Sequence, residues 1–155
     1  MTRIDEYARI FGEKKRVLVV MSHPDDAEIY SGGTIARLRS DAKEVMVIKM
    51  TSGNKGSRQE KMSEEELGEL REREDTTAMQ VLGVSPEHTV CLHISDGSVE
   101  NDLATIGRVA QQIRLFQPDL IITHNPEDMI IRFDKDVNWI NHRDHRNTEI
   151  GRAHV

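Results

Sequence analysis

Apolar residues recur along this 155-residue chain with two distinct periods. Short runs rich in β-branched residues occupy residues 16–22 (RVLVVMS), 44–51 (EVMVIKMT), 88–94 (HTVCLHI) and 119–124 (DLIITH). Each has the length and composition of a buried strand. Between them the apolar positions follow helical spacing. A short helix is predicted over residues 4–11, and a second behind the glycines of GGTIARLRS. A third places Leu67, Leu70, Ala78, Val81 and Leu82 on one stripe closed by Gly83. The clearest amphipathic helix carries Leu103, Ile106, Val109, Ala110, Ile113 and Phe116, and Pro118 ends it. Residues 125–141 read as a long irregular connection, a candidate lid.

Strands that alternate with helices predict a three-layer α/β/α sandwich around a mostly parallel, Rossmann-like sheet with right-handed crossovers. Ligands of such folds sit beyond the carboxyl ends of the strands. Residues 23–28, 51–57, 95–98 and 124 onward fall at that edge. The length suits a single domain, residues 1–155. With a net charge of -6 the chain offers no surface for nucleic-acid phosphates, so a small-molecule partner is expected. The single cysteine, Cys91, has no internal disulfide partner and reads as a core thiol. No membrane span and no signal peptide are evident, which makes the cytoplasm the expected location.

Two polar clusters interrupt this pattern. In MSHPDDAEIYSGGT, residues 21–34, a histidine and two aspartates follow directly on a buried strand, where each ionisable group needs a partner or a path to solvent. In NHRDHR, residues 141–146, His142 and His145 are three apart and share a helix face. Taken singly, the first cluster is equally a turn with a helix cap and the second a solvated face. Together they supply a metal-site chemistry: two imidazoles and a carboxylate, His23, Asp26 and His145, form a zinc triad with one open position, as in catalytic sites. Fe²⁺ is a second candidate for the same ligands. Asp25, beside the metal but not bound to it, is placed to take a proton from metal-activated water. His142, with Asp144 holding its charge, is placed to stabilise an oxyanion or protonate a leaving amine. The Gly32–Gly33 pair has an equal claim to simple helix packing.

With both motifs placed, the chain resembles the PIG-L and LmbE-like family of zinc-dependent N-acetylglucosaminyl deacetylases. HPDDAEIYSGGTIA matches the family's opening pattern and HRDHR its later one. TSGNKGS, REREDTTAMQVLGV and SDG resemble the segments between, so the likeness runs from about residue 16 to the end. The resemblance implies hydrolysis of an N-acetyl group from an N-acetylglucosamine-type amino sugar or conjugate. It assigns zinc to His23, Asp26 and His145, the general base to Asp25, and the tetrahedral intermediate to His142 with Asp144. Arg71 and Asp96 stand where members contact sugar hydroxyls; the alternatives are a solvent-facing helix arginine and a turn residue. His124 is expected to line the pocket, whereas His88, His93 and His154 have no constellation. Tyr30 stands where small residues are frequent and narrows the entrance. Trp139 either stacks on a sugar or anchors its loop.

Family chains continue past the HRDHR helix, and this one stops at Val155. The expectation is a short or truncated fold whose last helix is poorly anchored, with His145 less firmly held than the HPDD ligands. Self-association is one way to cover the edge this leaves. Two competing readings are a degenerate member that binds sugar without catalysis and a receiver-like signalling module that binds Mg²⁺ through acidic residues.

Overall fold

The four apolar runs become β1 (Arg16–Met21), β2 (Glu44–Thr51), β3 (Thr89–Ile94) and β4 (Leu120–Thr123), all parallel, in the order β3-β2-β1-β4. The computed structural model describes residues 5–56, 62–134 and 137–149, and for residues 131–139 the backbone alone. Successive residues of β1 feed opposite faces of the sheet. Val17, Val19 and Met21 pack with Ala27, Ile35, Leu38 and Met79 in one apolar cluster; Leu18 and Val20 pack with Met50, Val109 and Phe116 in the other. Residues 17–20 are at most 1% exposed, and burial of each such side chain contributes about 1.5–3 kcal/mol.

The helices α1 (Glu6–Phe11), α2 (Asp26–Ser40) and α3 (Glu64–Val81) serve the first face, and α4 (Leu103–Phe116) the second. This is the expected three-layer sandwich. Strand order turns back at β1, between β4 on one side and β2 on the other, and the crevice beyond that point is where such sheets bind ligands. Local signals set the helix limits. Ser63 and Glu66 form a reciprocal capping box at the start of α3. Asp102 caps α4, which closes with Gln117 in a left-handed conformation before Pro118.

Three details differ from the sequence expectation. The inward face of α3 carries Gly68, Asp75 and Met79, whereas Val81 is 83% exposed. A polar residue lies inside that helix because Lys49 of β2 is also buried, its Nζ 2.5 Å from the Asp75 carboxylate. His88 belongs to a 3-10 turn (Pro86–His88) before β3 rather than to the strand. The connection expected to be irregular contains an antiparallel ribbon, β5 (Ile130–Asp134) and β6 (Val137–Ile140). Its alternation of apolar and polar residues, IIRFDKDVNWI, was the available signal. The Trp139 side chain, Gly151 and His154 lie outside the described residues. Among the described residues no helix is long and apolar enough to cross a membrane.

Candidate active site

β1 delivers His23, Asp25 and Asp26 to the crevice through a tight turn. Asp25 is the N-cap of α2 at φ 93°, in the left-handed region that non-glycine residues seldom adopt. It makes no capping bond, which leaves its carboxylate free for other partners. Asp26, the first residue of α2, is buried and accepts the backbone N–H of His23 at 2.9 Å.

From the other side, β6 leads through Asn141 and His142 into α5 (Arg143–Asn147). The expectation of a poorly anchored last helix does not hold for this segment. The Thr148 hydroxyl lies 2.7 Å from that of Ser22 at the end of β1 and donates to Asp144 O. Asn147 donates to Val99 O at 2.8 Å, and the fully buried Asp144 carboxylate accepts from the N–H groups of Gly97 and Val99. Hydrogen bonds from two segments, the end of β1 and the Gly97–Val99 turn, hold α5 in place.

These anchors bring three donors together. His23 Nδ1 lies 3.3 Å from His145 Nε2 and 3.4 Å from Asp26 Oδ2, and His145 Nε2 lies 3.3 Å from Asp26 Oδ1. Donors about 2.0–2.1 Å from a tetrahedral zinc ion stand roughly 3.3–3.4 Å apart. The pairwise separations match that spacing, with the two nitrogens meeting different oxygens of Asp26, so the three side chains converge at a distance suited to such an ion. The outer nitrogens of both rings are also spoken for. His145 Nδ1 is 2.9 Å from Asn141 Oδ1, and His23 Nε2 is 3.1 Å from Asp96 and 3.3 Å from Asp144. With a metal bound, each imidazole could donate its outer N–H to these partners and turn its other nitrogen inward, as metal-binding histidines do. A second grouping, His23, Asp96 and His142, also gathers donor atoms. It is the weaker candidate, because His142 is nearly half exposed and the carboxylates there serve the outer face of His23.

The electrostatics follow from this crowding. Burial opposes charge on His23, yet Asp144, Asp26 and Asp96 override it and push its pKa up to about 11. Burial likewise opposes charge on Asp26, but His124, His145 and His23 hold its carboxyl far below the ordinary range. The Asp25 carboxyl is raised, chiefly by burial and against the pull of Arg71. Burial and the neighbouring His23 lower His142.

Two of these residues also meet partners other than those expected. Asp144 was expected to hold a charge on His142, but that contact is 3.9 Å, and the carboxylate instead faces His23 and two backbone donors. His142 accepts the Asp144 N–H at Nδ1 as the cap of α5, so its ring is a neutral donor through Nε2 rather than a cation. Arg71 points into the site rather than to solvent: it donates to Pro24 O at 2.8 Å and to Asp25 Oδ2 at 3.0 Å. Gly53 and Gly56 make room for it, since a Cβ at either would meet its Nη1 at 2.7 and 2.4 Å. Asp96, side chain 11% exposed, lies against His23.

His124 packs behind the site rather than in the lining of its cleft, with its ring stacked on His145 at 4.2 Å and its Nε2 3.2 Å from Asp26. Tyr30 stands edge-on to His124 at the rim. The cleft that Tyr30 borders measures about 450 Å³ and includes Asp25, Arg71, His142 and Ile140 in its lining. Asn141 escaped the sequence reading, although its place four residues before His145 on the way into a helix was the available signal.

The molecule resembles N,N'-diacetylchitobiose deacetylase from Pyrococcus horikoshii with a TM-score of 0.80 at 26% identity, over 97% of this chain and 51% of that one. In sequence it is 28% identical over 116 residues to diacetylchitobiose deacetylase of Thermococcus kodakarensis, covering 75% of this chain and 43% of that protein. It is also 28% identical over 120 residues to 4-oxalmesaconate hydratase of Pseudomonas putida, covering 74% and 45%. The chain spans about half the length of these relatives. Residues 18–154 match the family described as PIG-L, GlcNAc-PI de-N-acetylase, and the chain belongs to that family.

Proposed function

We propose that this chain provides the metal-binding half of a hydrolase that removes the acetyl group from an N-acetylglucosamine-type amino sugar or conjugate. The observation that carries the reading is the convergence of His23 Nδ1, His145 Nε2 and the Asp26 carboxylate, whose nearest atoms lie 3.3–3.4 Å apart in pairs. These three residues would hold zinc, or Fe²⁺, whose Lewis acidity lowers the pKa of water and polarises an acyl oxygen. Among the chain's own groups, Asp25 takes the proton of the attacking water. Arg71 fixes its carboxylate and keeps it ionised against the effect of burial. The neutral His142 donates a hydrogen bond where negative charge develops on the acyl oxygen. Asp96 and Asp144 orient His23, and Asn141 orients His145. The water oxygen bonds to the acyl carbon, the carbon–nitrogen bond breaks, and the proton taken up by Asp25 passes to the departing nitrogen, leaving acetate and the free amine.

The receiver-like alternative loses its support in the topology: Asp96, its one phosphoacceptor, follows the edge strand β3 and bonds to His23. The hydratase relative supplies a second reading, addition of water without amide cleavage. Acetate and amine release from a panel of N-acetylated amino sugars by zinc-loaded protein tests the proposal. Release lost in Asp25→Asn supports it. A protein that binds zinc and these sugars yet releases no acetate would be the degenerate member instead.

A further inference from the structure

A second set of ligating side chains gathers away from the cleft, between α3 and the edge strand β3. The donor atoms of Glu72, Cys91 and His93 all lie within 4.8 Å of one another. His93 Nδ1 is 3.0 Å from Glu72 Oε1, and the His93 N–H points to Cys91 Sγ at 3.4 Å. The backbone brings them together. Cys91 and His93 are two apart at the end of β3, where the regular alternation of faces is broken. The β2–β3 register shifts there: Lys49 pairs with Cys91 and Thr51 with Ile94, so β3 carries an extra residue, and His93 takes up the distortion at φ 49°. Bulges of this kind re-aim side chains.

We propose that Glu72, Cys91 and His93 form a second divalent-cation site of the zinc class, completed by solvent on its exposed side. The donor set is one sulfur, one nitrogen and one oxygen, which suits a borderline-soft ion and disfavours Mg²⁺ or Ca²⁺. Solvent has access, since the His93 side chain is 63% exposed and that of Glu72 37%. Lys49, the register neighbour of Cys91, is a buried cation, but Asp75 pairs with it at 2.5 Å and offsets its repulsion. Binding exchanges the Cys91 thiol proton for the ion and releases that proton to solvent. Occupancy fastens β3 to α3, the helix that also carries Arg71.

The test exploits the fact that Cys91 is the chain's single cysteine. The cleft triad contains only imidazole and carboxylate donors, so a thiolate-to-metal absorption band reports the second site alone. Co²⁺ titrated into the chelator-stripped full chain, without added thiol, should produce a near-ultraviolet thiolate-to-cobalt band. Cys91→Ser should abolish that band, while His93→Gln and Glu72→Gln should each weaken Co²⁺ affinity by roughly tenfold or more. The visible cobalt bands of the cleft should persist in all three variants. Should Cys91→Ser fail to fold, the exposed His93→Gln carries the comparison. Absence of the thiolate band from the wild-type chain would overturn the site. So would a band whose affinity is unchanged in both His93→Gln and Glu72→Gln, because the thiolate would then act without them.

Discussion

Asn141 Oδ1 sits 2.9 Å from His145 Nδ1, and the same asparagine is pinned by its own N–H to Met129 O and by its amide to Asp128 O. A segment outside the parallel sheet thus sets the direction of one imidazole in the proposed metal triad. Asn141→Ala removes the acceptor and frees the ring, and zinc affinity should fall about 10- to 100-fold. Asn141→Asp keeps an acceptor and should recover most of the loss. Competition with a chelating indicator measures both.

Asp25 and Asp26 are adjacent but face different partners, Arg71 in one case and three imidazoles in the other. Asp25→Asn should leave metal content unchanged and lower turnover by about 100-fold or more, whereas Asp26→Asn should lose the metal. Because Asp25 must be ionised to act as base, the acid limb of the activity profile should follow its pKa, which burial raises and Arg71 lowers. Arg71→Gln removes the opposing charge and should shift that limb further toward alkaline pH. Metal content together with pH–rate profiles separates these outcomes.

The Lys49–Asp75 pair concerns stability alone. Both residues are buried, at 2% and 6% exposure. Asp75→Leu or Lys49→Met leaves an uncompensated buried charge and should cost about 3–5 kcal/mol, while the double replacement Lys49→Met with Asp75→Leu should cost far less than the sum. Urea unfolding of the three variants gives the coupling.

Asp119 joins two strands at their starts. Its carboxylate accepts the N–H groups of Lys15 and Arg16 at 2.8 and 2.9 Å, which lowers its pKa. A depressed folded pKa contributes stability that is present above the unfolded value, about 3.9, and is lost as pH falls through the folded one. The melting temperature of Asp119→Ala should therefore lie below that of the wild type at neutral pH, with the gap closing below about pH 4.

Much of this arrangement was legible in the residues. The β1 and β2 runs are continuous apolar segments because both faces of the sheet are covered, so their pattern was unambiguous. The α3 stripe misled, since an inward Asp75 paired with Lys49 carries no apolar signal. The residues proposed for the site stood out because three ionisable groups at the end of a buried strand are costly without a purpose. The outer partners were less visible: that Asp144 would serve His23 rather than His142 depends on where the Gly97 turn presents its N–H, a contact 47 residues distant in sequence. The Glu72–Cys91–His93 grouping was equally hidden, because a bulge in β3 creates it and apolar periodicity does not report bulges.

The most direct test of the central claim is acetate release from an N-acetylglucosamine conjugate as zinc is returned to the chelator-stripped chain. The account predicts that activity rises with occupancy of the His23–Asp26–His145 triad and reaches its plateau at one ion in the cleft, and that His145→Ala shows no such rise. Acetate release that is undiminished in His145→Ala, or that does not respond to zinc or Fe²⁺, would contradict it.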